Sequence, residues 1–419
     1  MKKIELMPHQ AEIFESSRAR NRVAYYLDMG LGKTFLGSEK LMQLKSTYNL
    51  VLCQASKVAD WVEHFKTYYP DVTVTDYTRK NATVKPGVVV CNYELAWRRP
   101  ALADGMKDIT LLLDESSMIQ NETAKRSRFI LNHLRYKNVI LLSGTPTAGK
   151  YEKLWSQCRL LGWNVPKHEF YARYVVEKPI MNKKSPFPIK IVVGYKNVEE
   201  LKRLLRCYGA YFLKTEDVLT LPEQTFVDIP VPAIPQYKKY RKDKLVTVEN
   251  TMLVGDTTLK RHLHERQLCG MYNKAKLEAF SSMLESTDDR LIVFYNFTGE
   301  LKALKKVAKG RPISEVNGST RDLTAYEKND NSVTFIQYQS GAMGLNLQKA
   351  NKIVYFTPPT RSELFEQSKK RIHRIGQKDT CFYYSLICKG TVEERIMQVL
   401  KERRDYTDRL LEEQEKKWR

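Results

Sequence analysis

The stretch Val23 to Phe35, VAYYLDMGLGKTF, constrains this chain more than any other. Its apolar start, Val23 to Leu27, suits a strand buried on both faces. The run breaks into Asp28-Met29-Gly30-Leu31-Gly32-Lys33-Thr34, and a helical pattern of apolar residues follows from Phe35. Strand, glycine turn, Gly-Lys-Thr and helix together make a phosphate-binding loop. Gly30 and Gly32 let successive backbone N–H groups turn toward one anion without Cβ clashes. The new helix points its positive end at the same place. Lys33 is spaced to reach the outer phosphates, and Thr34 offers a hydroxyl to Mg²⁺. The full pattern has a glycine at position 27, where this chain has Leu27.

Length and charge set the frame. A chain of 419 residues exceeds one ordinary core and suits two domains with an insertion. Lys and Arg number 70 against 48 Asp and Glu, a formal net charge of +22. Such a field attracts polyanions, nucleic acid first and an anionic membrane surface second. The seven cysteines are scattered and form no Cys-x-x-Cys pair. That pattern suits reduced thiols in a cytosolic compartment, with no structural zinc and no disulfide framework. Neither a signal peptide nor a membrane-spanning run is apparent, so a cytoplasmic, DNA-associated location is expected.

The first third alternates short apolar runs with helical or loop stretches. The runs are Leu50 to Leu52, Val88 to Val90, Leu111 to Leu113 and Val139 to Leu142. They predict a parallel sheet, whose ligands bind beyond the carboxyl ends of its strands. From Tyr151 to Lys214 there are thirteen Lys/Arg against five Asp/Glu, with aromatics interleaved. This segment reads as a mostly helical insertion facing a polyanion, or equally as a solvated basic surface over a small aromatic core. Pro179 to Pro188 reads as an exposed basic loop, and Lys238 to Lys244 is a second basic run after the proline-rich Pro230 to Pro235. Strands are predicted at Leu291 to Tyr295, Val333 to Gln337, Ile353 to Phe356 and Phe382 to Ile387. Helices are predicted at Leu301 to Ala308, Leu364 to Arg371 and Val392 to Leu400. The fold class is therefore α/β. The division expected is 1–150 for a first lobe, 151–270 for a helical basic insertion and linker, 271–400 for a second lobe and 401–419 for a charged helix.

Asp114-Glu115 follows the predicted strand Leu111 to Leu113. One carboxylate suits Mg²⁺, and the next can orient or deprotonate a water. Near the far end, Arg371 and Arg374 stand three residues apart in QSKKRIHRIGQ. If helical, they share a face. Two such guanidiniums can meet a transferring phosphoryl group, or serve as a basic helix on nucleic acid or solvent.

In order along the chain, these elements resemble the Swi/Snf-type ATPases, the duplex-DNA translocase branch of the superfamily-two helicases. Leu6 to Gln10 resembles the adenine-reading glutamine motif, with Gln10 the carried-over contact. Asp28 to Thr34 resembles motif I, Gln54 to Ser56 with Trp61 motif Ia, and Asp114 to Ser117 with Gln120-Asn121 motif II. Ser143 to Pro146 resembles motif III, Phe294 to Phe297 motif IV, and Asn317 to Thr320 the element after it. Gly341 to Leu347 is similar to motif V, and Gln367 to Gln377 to motif VI. Departures are visible. Ser116-Ser117 stands where the family usually has Ala-His, Thr147 where it favours Asn, and Pro358-Pro359-Thr360 where it usually has Trp-Asn-Pro. Phe212 to Leu221 lacks the arginines of the stretch that links the lobes.

The resemblance implies two RecA-like lobes that use ATP and Mg²⁺. Lys33, Glu115, Arg371 and Arg374 would be catalytic. Gln10, Gly30, Leu31, Gly32, Lys33, Thr34, Gly341 and Gln367 would bind nucleotide, and Thr34 with Asp114 would hold magnesium. It implies DNA-stimulated ATP hydrolysis coupled to movement along duplex DNA held by its phosphates, and displacement or remodelling of bound protein. The rivals are a strand-separating helicase, against which the motif VI ending and the lack of an obvious strand-splitting pin count, and an ATP-switched nucleic-acid binder. The chain looks like a bare motor of bacterial, phage or mobile-element type, with any targeting parts supplied by partner proteins.

Overall fold

The computed structural model describes residues 4–401 apart from 108, 145, 148–149, 181–188, 219 and 342–344. Thr145 of the motif III stretch, residues 342–344 of motif V, most of the basic loop read at 179–188 and the tail 402–419 therefore lie outside the described residues. Two compact units divide the rest, the first ending at Val218 and the second beginning at 220.

The strands of the first unit are β1 (Arg22–Leu27), β2 (Tyr48–Cys53), β3 (Val74–Asp76), β4 (Gly87–Asn92), β5 (Ile109–Asp114), β6 (Tyr136–Leu142), β7 (Val175–Ile180), β8 (Ile189–Tyr195) and β9 (Ala210–Leu213). Seven of them form one sheet in the order β3-β4-β2-β5-β6-β1-β9, and every pairing in it is parallel. The apolar runs of β1, β2, β4, β5 and β6 are buried to 1% exposure or less. Two-sided burial is what continuous Val/Leu/Ile runs predict, because a one-sided strand would alternate. β1 lies between β6 and β9, with Tyr25 opposite Leu142 on one side and Tyr211 on the other. Helix α1 (Pro8–Ser17) precedes β1, and α2 (Lys33–Gln43) follows it.

The second unit carries β10 (Gln224–Val231), β11 (Leu245–Val248), β12 (Thr251–Val254), β13 (Leu291–Tyr295), β14 (Ile313–Val316), β15 (Arg321–Asp322), β16 (Val333–Gln337), β17 (Lys352–Tyr355) and β18 (Cys381–Cys388). Its main sheet runs β10-β18-β17-β13-β16-β14-β15, parallel except for β14 with β15. Both sheets are thus α/β layers of the kind the apolar runs imply.

One reading changes. The basic segment 151–214 contains the helices Trp155–Leu160, Lys167–Tyr174 and Val198–Cys207, but also the antiparallel pair β7–β8 and the sheet strand β9. The stretch 151–270 is divided between the two units. The proline-rich Pro230 to Pro235 begins inside a strand, since β10 includes Pro230. Proline is tolerated there because, among the described residues, β10 is the edge strand of its sheet and pairs with β18.

Candidate nucleotide site

β1 ends at Leu27, and the chain turns through Gly30 at φ 92° and Gly32 at φ 69° before α2 begins at Lys33. Both glycines occupy the left-handed region, which a side chain would strain. At Gly32 a methyl group would also fall 2.1 Å from Nε2 of Gln10. The turn therefore needs glycine at Gly30 for its dihedral and at Gly32 for both dihedral and space. Leu31 between them is fully buried, and Thr34 is half-buried in the first turn of α2.

Gln10 is 3% exposed on α1. Its Oε1 accepts from the backbone N–H of Met7 at 2.8 Å, and its Nε2 donates to Leu31 O at 2.9 Å and Gly32 O at 3.3 Å. The residue read as an adenine contact is thus also a clamp on the glycine turn. The Lys33 ammonium donates to Leu27 O at 2.7 Å and Asp28 O at 3.0 Å, so it lies back across the mouth of its own loop. Asp28 in turn accepts through Oδ2 from the backbone N–H and hydroxyl of Thr215, which ties the loop to the chain just beyond β9.

Asp114 closes β5, and its Oδ2 accepts from Trp61 Nε1 at 2.8 Å. Burial pushes its carboxyl above the ordinary value, opposed by the Trp61 hydrogen bond and by the charges of Lys57 and Lys33. Glu115 sits at φ 57°, an uncommon dihedral for a non-glycine residue. Its Oε1 accepts from Ser143 Oγ at 2.7 Å and Ser117 Oγ at 3.3 Å. The acidic pair is therefore joined directly to the motif III serine. Ser117, in the place of the usual histidine, contacts the same carboxylate. Gly144 completes the cluster, since a methyl there would lie 3.5 Å from Lys33 Nζ.

The first unit thus brings together Gln10, the 28–34 turn, Asp114, Glu115 and Ser143. Arg371, Arg374, Gln367 and Gly341 belong to the second unit. There the helix Ser362–Lys369 ends before Arg371, so the two arginines do not share a helical face as their spacing suggested. They converge by a turn instead. Arg371 Nη1 approaches Leu345 O at 3.5 Å and Arg374 Nη1 approaches it at 3.4 Å. Burial lowers the Arg374 pKa, yet a guanidinium stays charged at any ordinary pH. The remaining motif VI residues hold the turn. His373 Nε2 lies 2.9 Å from Pro222 O, Gly376 takes φ 93°, and Gln377 Nε2 donates to Ala350 O at 2.9 Å. Gln367 is 2% exposed and contacts Glu363 one turn back at 3.4 Å, and Gly341 closes the short helix Tyr338–Gly341.

One side chain near this cluster carries no sequence signal. Gln157, on Trp155–Leu160, is fully buried and bonds Tyr26, Ser116 and Pro146. A single glutamine in a basic, aromatic segment shows no pattern, and its partners lie 11, 41 and 131 residues away. Among the described residues no helix is long and apolar enough to cross a membrane.

Comparison with known proteins identifies the family. A family model described as SNF2-related domain matches residues 26–272, and one described as helicase conserved C-terminal domain matches 275–376. YwqA of Bacillus subtilis, named as an ATP-dependent helicase/translocase, is 24% identical over 92% of this chain and 46% of its own. The mouse SWI/SNF-related matrix-associated actin-dependent regulator of chromatin subfamily A member 1 is 26% identical over 88% of this chain and 40% of its own. The chain thus spans under half the length of these two relatives. The solved Sulfolobus solfataricus SWI2/SNF2 ATPase core in complex with dsDNA is 20% identical, with a TM-score of 0.48 over 97% of this chain and 93% of that one. With the SNF2-related model covering more than half of its length and the helicase C-terminal model directly behind it, the chain belongs to the SNF2-related family.

Proposed function

We propose that this chain is an ATP-driven motor whose hydrolysis is stimulated by duplex DNA and coupled to movement along it, displacing or remodelling bound protein. The observation that carries the proposal is the joining, within one unit, of a Gly-Lys-Thr turn to the carboxylates of Asp114 and Glu115 and to Ser143. The residues fit a magnesium–polyphosphate group. The Lys33 ammonium donates to Leu27 O and Asp28 O at the loop mouth, and its charge acts on the Asp114 carboxylate. The turn presents N–H groups beside a helix N-terminus.

In this reading Gly30, Leu31, Gly32, Lys33 and Thr34 cradle the phosphates. Thr34 and Asp114 hold magnesium, which when bound neutralises phosphate charge. Glu115 orients and deprotonates the attacking water, and Ser143 reports its state to motif III. Gln10 lies on the adenine side and stiffens the turn from below. Arg371 and Arg374 supply positive charge to the transferring phosphoryl group, with Gly341 and Gln367 beside them. Residues 1–150 and 271–400 carry the two halves of the chemistry, and the basic, aromatic part of 151–270 tracks the polyanion. DNA is held by its phosphates, since a motor must grip any sequence.

The test is steady-state ATP turnover without polymer and with single-stranded DNA, duplex DNA or RNA, for the wild type and Lys33→Ala. Strong stimulation by duplex and loss of turnover in Lys33→Ala are expected. Normal turnover in Lys33→Ala, or none in the wild type with any polymer, overturns the proposal.

A second reading, strand separation, has one observation in its favour. β11 and β12 form a hairpin closed by Glu249 and Asn250, both at positive φ. Its outer face exposes Leu245, Met252 and Val254. An apolar hairpin can serve as a pin, the feature not apparent from the sequence. A strand-displacement assay on forked duplexes separates the two readings.

A further inference from the structure

Gln157 lies outside every motif. Its side chain is fully buried on the helix Trp155–Leu160. Oε1 accepts from the Tyr26 hydroxyl at 2.9 Å and from Ser116 Oγ at 2.8 Å. Nε2 donates to Pro146 O at 2.9 Å. The chemistry fixes this orientation. A backbone carbonyl can only accept, so the amide NH₂ must face Pro146, and both hydroxyls must then donate to the amide oxygen.

Each partner belongs to a different piece of the site. Tyr26 is the penultimate residue of β1, which feeds the Gly30–Gly32 turn. Ser116 directly follows Glu115, and Pro146 stands three residues after Ser143. The neighbouring Ser156 adds a bond from the same helix to Ile119 O at 2.8 Å. The Glu115–Ser143 hydrogen bond at 2.7 Å therefore spans two segments that one buried amide holds in register. A satisfied network in a low-dielectric core is stiff, because any slip leaves a polar atom bare.

We infer that Gln157 is a positioning residue for the nucleotide site, which keeps Glu115 on Ser143 by locking the Ser116 and Pro146 segments to β1. The inference rests on the proposed ATP chemistry and adds a residue to it. Gln157 is too deeply buried to meet nucleotide or DNA, and it acts through the acidic segment.

The test separates positioning from mere stability. Gln157→Met keeps length and leaves the Tyr26 and Ser116 hydroxyls without their acceptor. The triple variant Tyr26→Phe/Ser116→Ala/Gln157→Met removes those hydroxyls too. Pro146 O keeps its second donor, Gln120 Nε2 at 3.2 Å. Replacing all partners by apolar groups of similar shape is nearly neutral for stability. The triple variant is therefore expected to regain the melting temperature that the single variant loses. Its duplex-stimulated kcat is expected to stay down on the order of tenfold, with the KM for ATP unchanged. A kcat that returns with the melting temperature, or a KM that rises while kcat holds, overturns the inference. Wild-type turnover is measured alongside. If the wild type turns over and the triple variant matches it, this inference alone fails; if the wild type is inactive with every polymer, the nucleotide reading fails and takes this one with it.

Discussion

Glu115 concentrates the site's chemistry in one dihedral. Its φ of 57° turns the chain sharply after β5, and the carboxylate then meets Ser143 and Ser117. A non-glycine residue held there costs about 1–2 kcal/mol, so the surrounding bonds must over-determine it. Glu115→Gln keeps an acceptor for Ser143 but removes the carboxylate proposed as the base. It is expected to bind ATP normally and to turn over about 10²- to 10⁴-fold more slowly, as filter binding and steady-state rates would show. A variant that fails to bind nucleotide would argue for a different role. A second residue titrates in the core of the other unit. Glu300 is fully buried, and its Oε2 accepts from the N–H groups of Asn296 and Phe297. Oε1 lies against Gly270, where a methyl would come within 2.0 Å. Burial raises its pKa from 4.5 to about 7, against those N–H bonds. The folded chain keeps this proton where an unfolded glutamate has lost it. Stability therefore falls as pH rises from about 4.5 to about 7, by on the order of 3 kcal/mol. Glu300→Gln is expected to flatten that slope in urea midpoints measured against pH; an unchanged slope would assign it to another group.

At the scale of elements, the second unit depends on an ion pair that sequence spacing conceals. The helix Lys274–Glu285 places Lys276 Nζ 2.7 Å from both oxygens of Glu393, and both residues are at most 1% exposed. Glu393 Oε2 also accepts from the N–H of Cys388 at the end of β18. Cys269, Cys388 and Glu393 offer ligand atoms within 4.8 Å of one another, a convergence the scattered cysteines did not suggest. The Lys276 ammonium already occupies that carboxylate. Lys276→Ala strands a buried charge and is expected to destabilise the unit by about 3–5 kcal/mol, read as a shifted denaturation midpoint. An unshifted midpoint would mean that Glu393 protonates or rehydrates at little cost. The motif VI turn illustrates the same scale. His373, Gly376 and Gln377 serve its backbone, which leaves Arg371 and Arg374 to meet at Leu345 O.

For the whole molecule the dominant fact is the net charge of +22. If duplex DNA is held by its phosphates, about six such contacts would lower affinity about 10³-fold between 50 and 200 mM salt. Fluorescence anisotropy across that range is expected to give a steep linear log–log plot, and a flat plot would sink phosphate-led binding. The sequence by itself determined the pieces whose physics is local. Two glycines before Lys-Thr can turn a chain toward an anion whatever surrounds them, and continuous Val/Leu/Ile runs must be covered on both faces. Hence β1, β2, β4, β5, β6, β13, β16, β17 and β18, the glycine turn between β1 and α2 and the place of the acidic pair at the end of β5 were all legible. Tertiary structure alone decided what depends on a distant partner. Pro230 could join a strand because β10 lies at an edge, and Phe226 to Val231 alternate in burial as a half-covered strand does. The helix bearing motif VI stops at Lys369, so the arginines meet through a carbonyl rather than through a helical face. Gln157 matters because burial makes each polar atom seek a partner. Those partners are drawn from segments that only the folded sheet brings within 3 Å.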